Sequence, residues 1–267
     1  MVRLLTASAL IVLALYLIWL APLPVFIAAA LVFGCLCYWE FGNIAVAHGI
    51  ERPALIGFLI GLSIIVFPQH AFLACVLFLL LQLALHLRLS NLGSILPATS
   101  AVFTGAVYAF SPWHFAVELR RASPHLLFFA LALNWVGDSA AFYTGRKFGK
   151  HKLAPRVSPG KSWEGAIASA IGSSLFGILY LYEIVPMLST SYRSSMPSLS
   201  LLSVCAMSLT GNVAGQIGDL AESSMKRGAG LKDSGNLLPG HGGILDRMDS
   251  SMFTLPAIYA IYTAWPS

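Results

Sequence analysis

Charged residues are scarce in this sequence. They make up 10% of the 267 residues, against about 25% in an ordinary soluble domain. Hydrophobic residues make up 57% of the chain, and the mean hydropathy is +0.78. A soluble protein of this length must cover its outside with polar side chains. These values therefore exclude a water-soluble globule and indicate that a lipid bilayer is the solvent.

The sequence also has little that would mark a zinc site, a disulfide framework or an appended soluble domain. Its four cysteines lie in apolar runs, and no Cys or His pair stands at zinc-like spacing from Cys35 and Cys37. It contains no Ser/Gly-rich linker, low-complexity tract or repeat period. We therefore predict a single membrane domain over residues 1–267.

Long apolar runs dominate what is present. A membrane-spanning helix needs about 20 mostly apolar residues. The pattern predicts an all-α, polytopic membrane protein with about nine transmembrane helices and two polar loops, after the sixth and eighth helices. We assign residues 1–125 to N-terminal transmembrane helices and residues 126–267 to a catalytic part. The apolar stretches cover residues 4–20, 24–40, 53–67, 70–87, 95–113, 125–143, 165–185, 199–218 and 251–266.

The basic residues are unevenly distributed. Ten of the 16 Lys and Arg residues fall in two polar stretches, 146–161 and 226–247. With the N-terminus inside, only Arg120, Arg121 and Arg193 would lie in outside loops. Because Lys and Arg accumulate on the cytoplasmic side, we predict that both polar loops face the cytoplasm. Such clusters either mark that side or hold phosphates, and the net charge of +5 does not by itself predict a nucleic-acid partner.

Two aspartates lie inside or at the edge of apolar stretches. Asp138 follows Asn134 by four residues, and Asp219 follows Asn212 and Gln216 at helical spacing. Ionisable groups are costly in a bilayer, so an intramembrane carboxylate predicts a functional site. Polar residues in membrane helices also join neighbouring helices without any catalysis, and this alternative stays open for the three amides.

The stretch from Asp219 to Asp249 is dense in charge. It contains five carboxylates, four Lys or Arg residues and one histidine. Asp246 and Asp249 are three residues apart and would share a helical face, where paired carboxylates repel unless a cation lies beside them. Magnesium binds through one or two carboxylates together with substrate phosphates. We therefore predict Asp219 and Asp246 as magnesium ligands.

Two short motifs favour phosphate binding. Three glycines surround His241, and glycines at a helix start let backbone amides approach an anion. In the other polar loop, Gly160, Lys161 and Ser162 resemble the end of a P-loop, but Pro155 stands where that pattern needs glycine. Lys161 remains a candidate phosphate ligand, and the prolines of this loop exclude a regular helix and predict an extended shape.

The charged stretch after the eighth helix also follows a fixed pattern over 27 residues. Its positions are Ser223, Lys226, Arg227, Lys232, Asp233, Gly235, Pro239, His241, Gly242, Gly243, Asp246, Arg247 and Asp249. They fill without a gap the signature of the phosphatidate cytidylyltransferases, and the chain resembles that family over residues 130–250.

A second block resembles the same family. It contains an aspartate, a Phe-Gly-Lys run and a Ser-Pro-x-Lys-Ser run before Glu-Gly. The matching positions are Asp138, Gly145, Phe148, Gly149, Lys150, Leu153, Pro155, Ser158, Pro159, Lys161, Ser162, Glu164 and Gly165. One position departs from the pattern, because Phe142 stands where the family has tyrosine, so we assign no phenol hydroxyl to the chemistry.

The resemblance implies a reaction between CTP and phosphatidic acid. The lipid phosphate attacks the α-phosphorus of CTP, pyrophosphate leaves, and CDP-diacylglycerol remains, with one Mg²⁺ ion or two as cofactor. It also implies a location in the bacterial inner membrane and a homodimer. Gly57 and Gly61 form a small-residue helix face that suits a dimer or packing within one chain equally well.

The resemblance also implies roles for individual residues. Ser223 would bind a phosphate or a metal-bound water, and His241 would position cytidine or a phosphate oxygen. The expected metal ligands are Asp219, Asp246 and Asp249, which with Lys226, Arg227 and Ser223 form the catalytic set. The expected substrate-binding residues are Asp138, Arg146, Lys161, Ser162, Lys232, His241, Gly242, Gly243 and Arg247.

Two other functions remain as alternatives. A membrane transporter would also carry intramembrane carboxylates, but the polar residues lie at one edge of the apolar stretches and no inverted repeat joins the halves. A CTP-dependent kinase of a lipid alcohol would release CDP in place of pyrophosphate. The complete signature favours the cytidylyltransferase over both.

Overall fold

The fold is built almost entirely from helices. The computed structural model describes residues 2–53, 55–87, 92–188, 199–240 and 242–265. A π-helical segment, Ile178–Ile184, joins the helix Trp163–Gly177 to the short helix Val185–Met187. The helices are α1 Val2–Trp19, α2 Leu23–Ala47, α3 Ile56–Val66, α4 Ala71–His86, α5 Ile95–Ala122, α6 Pro124–Phe148, α7 Trp163–Gly177, α8 Val185–Met187, α9 Leu201–Gly228 and α10 Leu245–Ala264, with 3₁₀ turns at Pro68–His70 and Leu92–Ser94.

The predicted all-α class is confirmed, and every predicted apolar stretch contains a helix in the described ranges. By length and composition, 6 described segments could cross a membrane. The short α3 has 11 residues, or ~16 Å at 1.5 Å per residue, about half of the hydrocarbon thickness. About nine spanning helices and the sidedness of the loops therefore stay predictions. The six segments are Leu23–Ala47, Pro68–Leu85, Leu92–Ala122, Pro124–Phe148, Trp163–Met187 and Leu201–Gly228.

The chain forms two compact units, each made from two separate parts of the sequence. The first unit comprises Met1–Val117 and Met225–Met248, and the second comprises Glu118–Ser224 and Asp249–Ser267. The first predicted polar stretch, 146–161, belongs to the second unit, and the second, 226–247, belongs to the first unit. The signature from Ser223 to Asp249 therefore crosses both unit boundaries. The predicted division after residue 125 stays a prediction.

Aromatic side chains and glycines form the core of the first unit. The ring of Tyr38 lies 4.8 Å from that of Phe58 and 5.9 Å from that of Phe110. A side chain at Gly57 would overlap Tyr38, and one at Gly61 would overlap Phe110. The small-residue face of α3 is therefore used for packing within the chain.

A β-hairpin in the second unit was not predicted. Strands β1, Lys152–Ala154, and β2, Ser158–Ser162, pair antiparallel with Lys152 opposite Ser162. The predicted extended loop is thus a short two-stranded sheet. Pro155 lies in its turn, and Pro159 lies between the paired residues Ser158 and Ser162, so it interrupts neither pair. The hairpin leads directly into α7.

Candidate active site

A cavity of about 430 Å³ lies in the second unit. This is within the range of about 300–1,000 Å³ typical of small-molecule sites. Helices α6, α7 and α9 and the hairpin contribute to its wall. Four predicted substrate-binding residues line it: Asp138, Arg146, Lys161 and Ser162.

An ion pair stands at the wall of this cavity. Lys161 Nζ lies 2.5 Å from Asp219 Oδ2, and their side chains are 28% and 26% exposed. Ser223 donates from Oγ to Asp219 Oδ1 at 3.3 Å. Asp138 lies close enough to interact electrostatically with both charges of the pair. The structure therefore brings together four predicted site residues, namely Lys161 and the nearby Asp138, Asp219 and Ser223.

The start of α7 fixes the hairpin beside the cavity. Ser162 is the N-cap of α7, and its Oγ accepts a hydrogen bond from the backbone N–H of Gly165 at 3.2 Å. Two residues later, Glu164 accepts a hydrogen bond from the His151 backbone N–H at 3.2 Å and contacts His151 Nδ1 at 2.7 Å. Ser162 thus holds the loop that carries Lys161, since its hydroxyl oxygen is used as a helix cap.

The buried amides join helices, as the alternative for them proposed. Asn212 donates from Nδ2 to Ser169 at 2.8 Å and to Ser173 at 2.9 Å, and its Oδ1 accepts from Gln216 at 2.6 Å. Asn134 accepts from Thr254 at 3.0 Å. These bonds connect α6, α7, α9 and α10 and hold the cavity wall together.

Asp249 belongs to the same unit as Asp219, on a neighbouring helix. A Cβ added at Gly218 would lie 2.6 Å from the backbone oxygen of Asp249 and 3.0 Å from the ring of Phe253. Glycine at position 218 therefore allows α10 to approach α9 at the residue before Asp219. Asp249 and Asp219 are held at the same helix crossing.

Gly218→Ala is expected to destabilise the protein by about 1–3 kcal/mol, because overpacking against a backbone atom forces the two helices apart. Thermal unfolding in detergent measures the change. Gly42→Ala in α2 is the matched control, since the nearest atom to its added Cβ would be 3.5 Å away. Equal stability of the two variants would contradict the close helix contact at Gly218.

In the first unit, Asp246 is enclosed by hydrogen-bond donors. Its side chain is 5% exposed, and Lys226 Nζ lies 2.6 Å from Oδ1. The backbone N–H of Gly243 donates to Oδ2 at 2.8 Å. The backbone N–H of Ser234 contacts both oxygens, at 3.1 and 3.0 Å. The loop between α9 and α10 (residues 229–240 and 242–244 as described), here called the signature loop, thus donates to this carboxylate through two backbone N–H groups.

These contacts determine the ionisation of Asp246. Burial disfavours its charged form, but the hydrogen bond from Lys226, the backbone donors and the charge of Lys226 outweigh burial. The pKa of this carboxyl therefore lies below its ordinary value. Asp246 is ionised at neutral pH and neutralises a lysine that is 10% exposed.

Other signature residues belong to the same unit. Gly242 has a φ of +78°, a conformation that favours glycine, and its carbonyl accepts from the Leu238 N–H at 2.9 Å. Arg227, Lys232 and Arg247 are exposed. His241 lies outside the described residues, so its expected role stays a prediction.

One buried carboxylate of this unit, Glu40, was not predicted from the sequence. It lies within α2, is 0% exposed, and accepts hydrogen bonds from Leu245 N–H at 2.8 Å and Ser234 Oγ at 3.1 Å. Glu40 is a lone carboxylate in an apolar run, the signal that singled out Asp138 and Asp219. The rule that an intramembrane carboxylate predicts a functional site, applied to the apolar stretch 24–40, would have identified Glu40.

The chain is similar to known proteins along nearly its whole length. The profile of the cytidylyltransferase family matches residues 1–265. A protein named phosphatidate cytidylyltransferase from Bacillus subtilis (strain 168) is 30% identical over 268 residues, covering 96% of this chain and 95% of that protein. One of the same name from Staphylococcus aureus (strain COL) is 34% identical over 227 residues, 82% of each chain. One from Staphylococcus saprophyticus is 43% identical over 141 residues, 53% of this chain and 50% of that protein.

Proposed function

Because the chain belongs to the cytidylyltransferase family, we propose that it transfers the CMP group of CTP to phosphatidic acid. The products are CDP-diacylglycerol, a precursor of phospholipids, and pyrophosphate. The observation that carries this proposal is the near full-length similarity to a protein named phosphatidate cytidylyltransferase. The unbroken signature from Ser223 to Asp249 supports it independently.

The reaction needs charge neutralisation more than proton transfer. A phosphate oxygen of the lipid attacks the α-phosphorus of CTP, and the bond from that phosphorus to the β-phosphate oxygen breaks. The attacking group is already an anion, so the protein must hold two polyanions in line and stabilise the charge on the leaving pyrophosphate. A site rich in cations suits this chemistry.

The cavity of the second unit supplies the first group of cations. Lys161 and Arg146 line it, and Lys161 is already positioned by Asp219. As a point charge, Lys161 would bind a phosphate of CTP while remaining close to Asp219. Asp138 completes the polar wall and would orient the nucleotide.

The signature stretch, from Ser223 to Asp249, supplies the second group of cations. Arg227, Lys232 and Arg247 are exposed and would contact substrate phosphates, whereas Lys226 is held by Asp246. Gly242, with its φ of +78°, would let the backbone approach an anion, whereas the N–H of Gly243 already donates to Asp246. Ser223, bonded to Asp219, would bind a phosphate oxygen or a metal-bound water.

Magnesium would supply further neutralisation of the triphosphate. In the described part of the chain, no three His, Cys, Asp or Glu side chains are placed to hold a metal ion by themselves. Mg²⁺ needs only one or two carboxylates when substrate phosphates complete its ligands, so one or two of Asp219, Asp246 and Asp249 would be enough at each ion. Both oxygens of Asp246 accept protein donors, so an ion there would compete with Lys226. We propose these three as ligands for one ion or two.

The surroundings of the enzyme follow from its substrates. The apolar helices indicate a membrane protein, and the relatives are bacterial. We propose the inner membrane, with the site loops on the cytoplasmic side where CTP is present and the lipid tails retained in the bilayer. A homodimer remains part of the proposal.

The test is pyrophosphate release from CTP by purified protein in phosphatidic-acid micelles, with and without Mg²⁺. Release that requires both the lipid and the ion, with CDP-diacylglycerol as lipid product, is the expected result. Release of CDP with a lipid alcohol would instead identify the kinase. Ion or lipid flux in proteoliposomes without turnover of CTP would identify a transporter.

A further inference from the structure

We propose that Glu40 is a positioning residue of this enzyme, which holds the signature loop in the shape that encloses Asp246. The inference rests on the proposed function for its kinetic consequence, whereas its structural consequence can be measured without any activity. Glu40 lies in α2, about 200 residues from the loop in sequence. It therefore gives the first half of the chain a role in the reaction.

The contacts of Glu40 converge on the two peptide segments that flank Asp246. Oε2 accepts from the backbone N–H of Leu245, the residue before Asp246, at 2.8 Å. The same oxygen accepts from Ser234 Oγ at 3.1 Å, and the backbone N–H of Ser234 donates to Asp246. One buried oxygen thus fixes both the start of the helix that carries Asp246 and a donor to Asp246.

The glycines of the signature loop are adapted to this carboxylate. A Cβ added at Gly235 would lie 2.5 Å from Glu40 Oε1, and the nearest atoms it would meet all belong to Glu40. A Cβ at Gly243 would overlap both Ser234 and Glu40. Two signature positions are therefore small because the loop closes directly over the Glu40 side chain.

The same helix also holds the segment before the loop. His48, at the C-terminal end of α2, contacts the Met225 carbonyl through Nε2 at 2.9 Å, and its ring lies where a side chain at Gly228 would be. Since Met225 precedes Lys226, α2 contacts the chain on both sides of the pair formed by Lys226 and Asp246. A displacement of about 1 Å at such a site can lower a rate by about 100-fold.

Three substitutions at Glu40 test whether its role is to accept hydrogen bonds or only to fill space. Glu40→Ala is expected to lower kcat by about 10-fold to 100-fold with smaller changes in the KM values. Glu40→Leu keeps the bulk without an acceptor and is expected to behave like Glu40→Ala. Glu40→Gln is expected to keep kcat within about threefold of wild type. A single oxygen of Glu40 accepts both hydrogen bonds, and the glutamine side chain retains one oxygen that can accept them.

A second-site variant tests the proposal even if Glu40→Ala alone is poorly stable. Gly235→Ala is expected to lower kcat, because the added methyl group displaces Glu40. Glu40→Ala removes the atoms that the added methyl group at position 235 would meet. In the double variant, Gly235→Ala should therefore cause no further loss of kcat. Glu51→Ala, which changes an exposed carboxylate after α2, is the matched control and should leave kcat unchanged.

Hydrogen exchange provides a readout independent of turnover. In the full-length protein, backbone amides in residues 243–248 should exchange faster in Glu40→Ala than in wild type and Glu40→Gln. A wild type that is inactive with CTP and phosphatidic acid would refute the proposed function and leave this measurement intact. The positioning role is overturned if Glu40→Ala keeps wild-type kcat and exchange, or if Glu40→Gln loses as much as Glu40→Ala.

Discussion

Asp246→Asn is expected to lower the rate of pyrophosphate release by about 100-fold or more. Asparagine has the same size, but its NH₂ group would replace an oxygen that accepts hydrogen bonds from Lys226 or from the backbone of Gly243. A donor would then face a donor, and Lys226 would lose the neighbouring charge in a site where it is 10% exposed. Initial rates with CTP, phosphatidic-acid micelles and Mg²⁺ measure the effect.

Loss of fold must be distinguished from loss of chemistry in this variant. Removing one partner of a buried ion pair costs about 3–5 kcal/mol, so thermal unfolding and gel filtration should accompany the assay. Glu118→Gln is a suitable control, because Glu118 pairs with Arg121 at 2.8 Å at a more exposed position. A folded Asp246→Asn protein with more than about a tenth of the wild-type rate would refute the role of this carboxylate in turnover.

The helices were predictable from the sequence because they depend on local patterns. Apolar length determines where a helix can lie in a bilayer, and each predicted stretch contains one in the described ranges. The ends were less predictable. Helix α9 continues to Gly228, ten residues beyond the predicted end at 218, because its last turns are polar and hydropathy does not register them. Ser223 and Lys226 are therefore on a helix.

The contacts within the site were not predictable, because they join residues far apart in sequence. The sequence pattern predicted Asp219 and Asp246 as functional carboxylates. It did not predict that Lys161 pairs with Asp219 or that Lys226 pairs with Asp246. The contacts of Glu40 were unpredictable for the same reason, since its partners lie about 200 residues away. The only local signal is the energetic cost of a carboxylate in an apolar helix.

Lys161→Ala is expected to raise the KM for CTP and to lower kcat, with kcat/KM falling by about 100-fold to 1,000-fold. Lys161 is a partly exposed cation at the cavity wall, already placed 2.5 Å from Asp219. Its removal deprives the triphosphate of a charge and leaves Asp219 without its partner, so both binding and the transition state lose stabilisation. Lys161→Arg should recover only part, because a planar guanidinium does not replace a compact ammonium.

A double substitution shows whether Lys161 and Asp219 act as one unit. If they do, Lys161→Ala combined with Asp219→Ala should lose much less than the product of the two single losses, since each single change already breaks the pair. Lys147→Ala is the matched control: Lys147 is exposed, lies 5.2 Å from the ring of Phe148 and does not line the cavity. Losses that multiply would mean that Lys161 binds CTP independently of Asp219. An unchanged KM for CTP in Lys161→Ala would remove this lysine from the nucleotide site and transfer phosphate binding to the cations of the signature stretch.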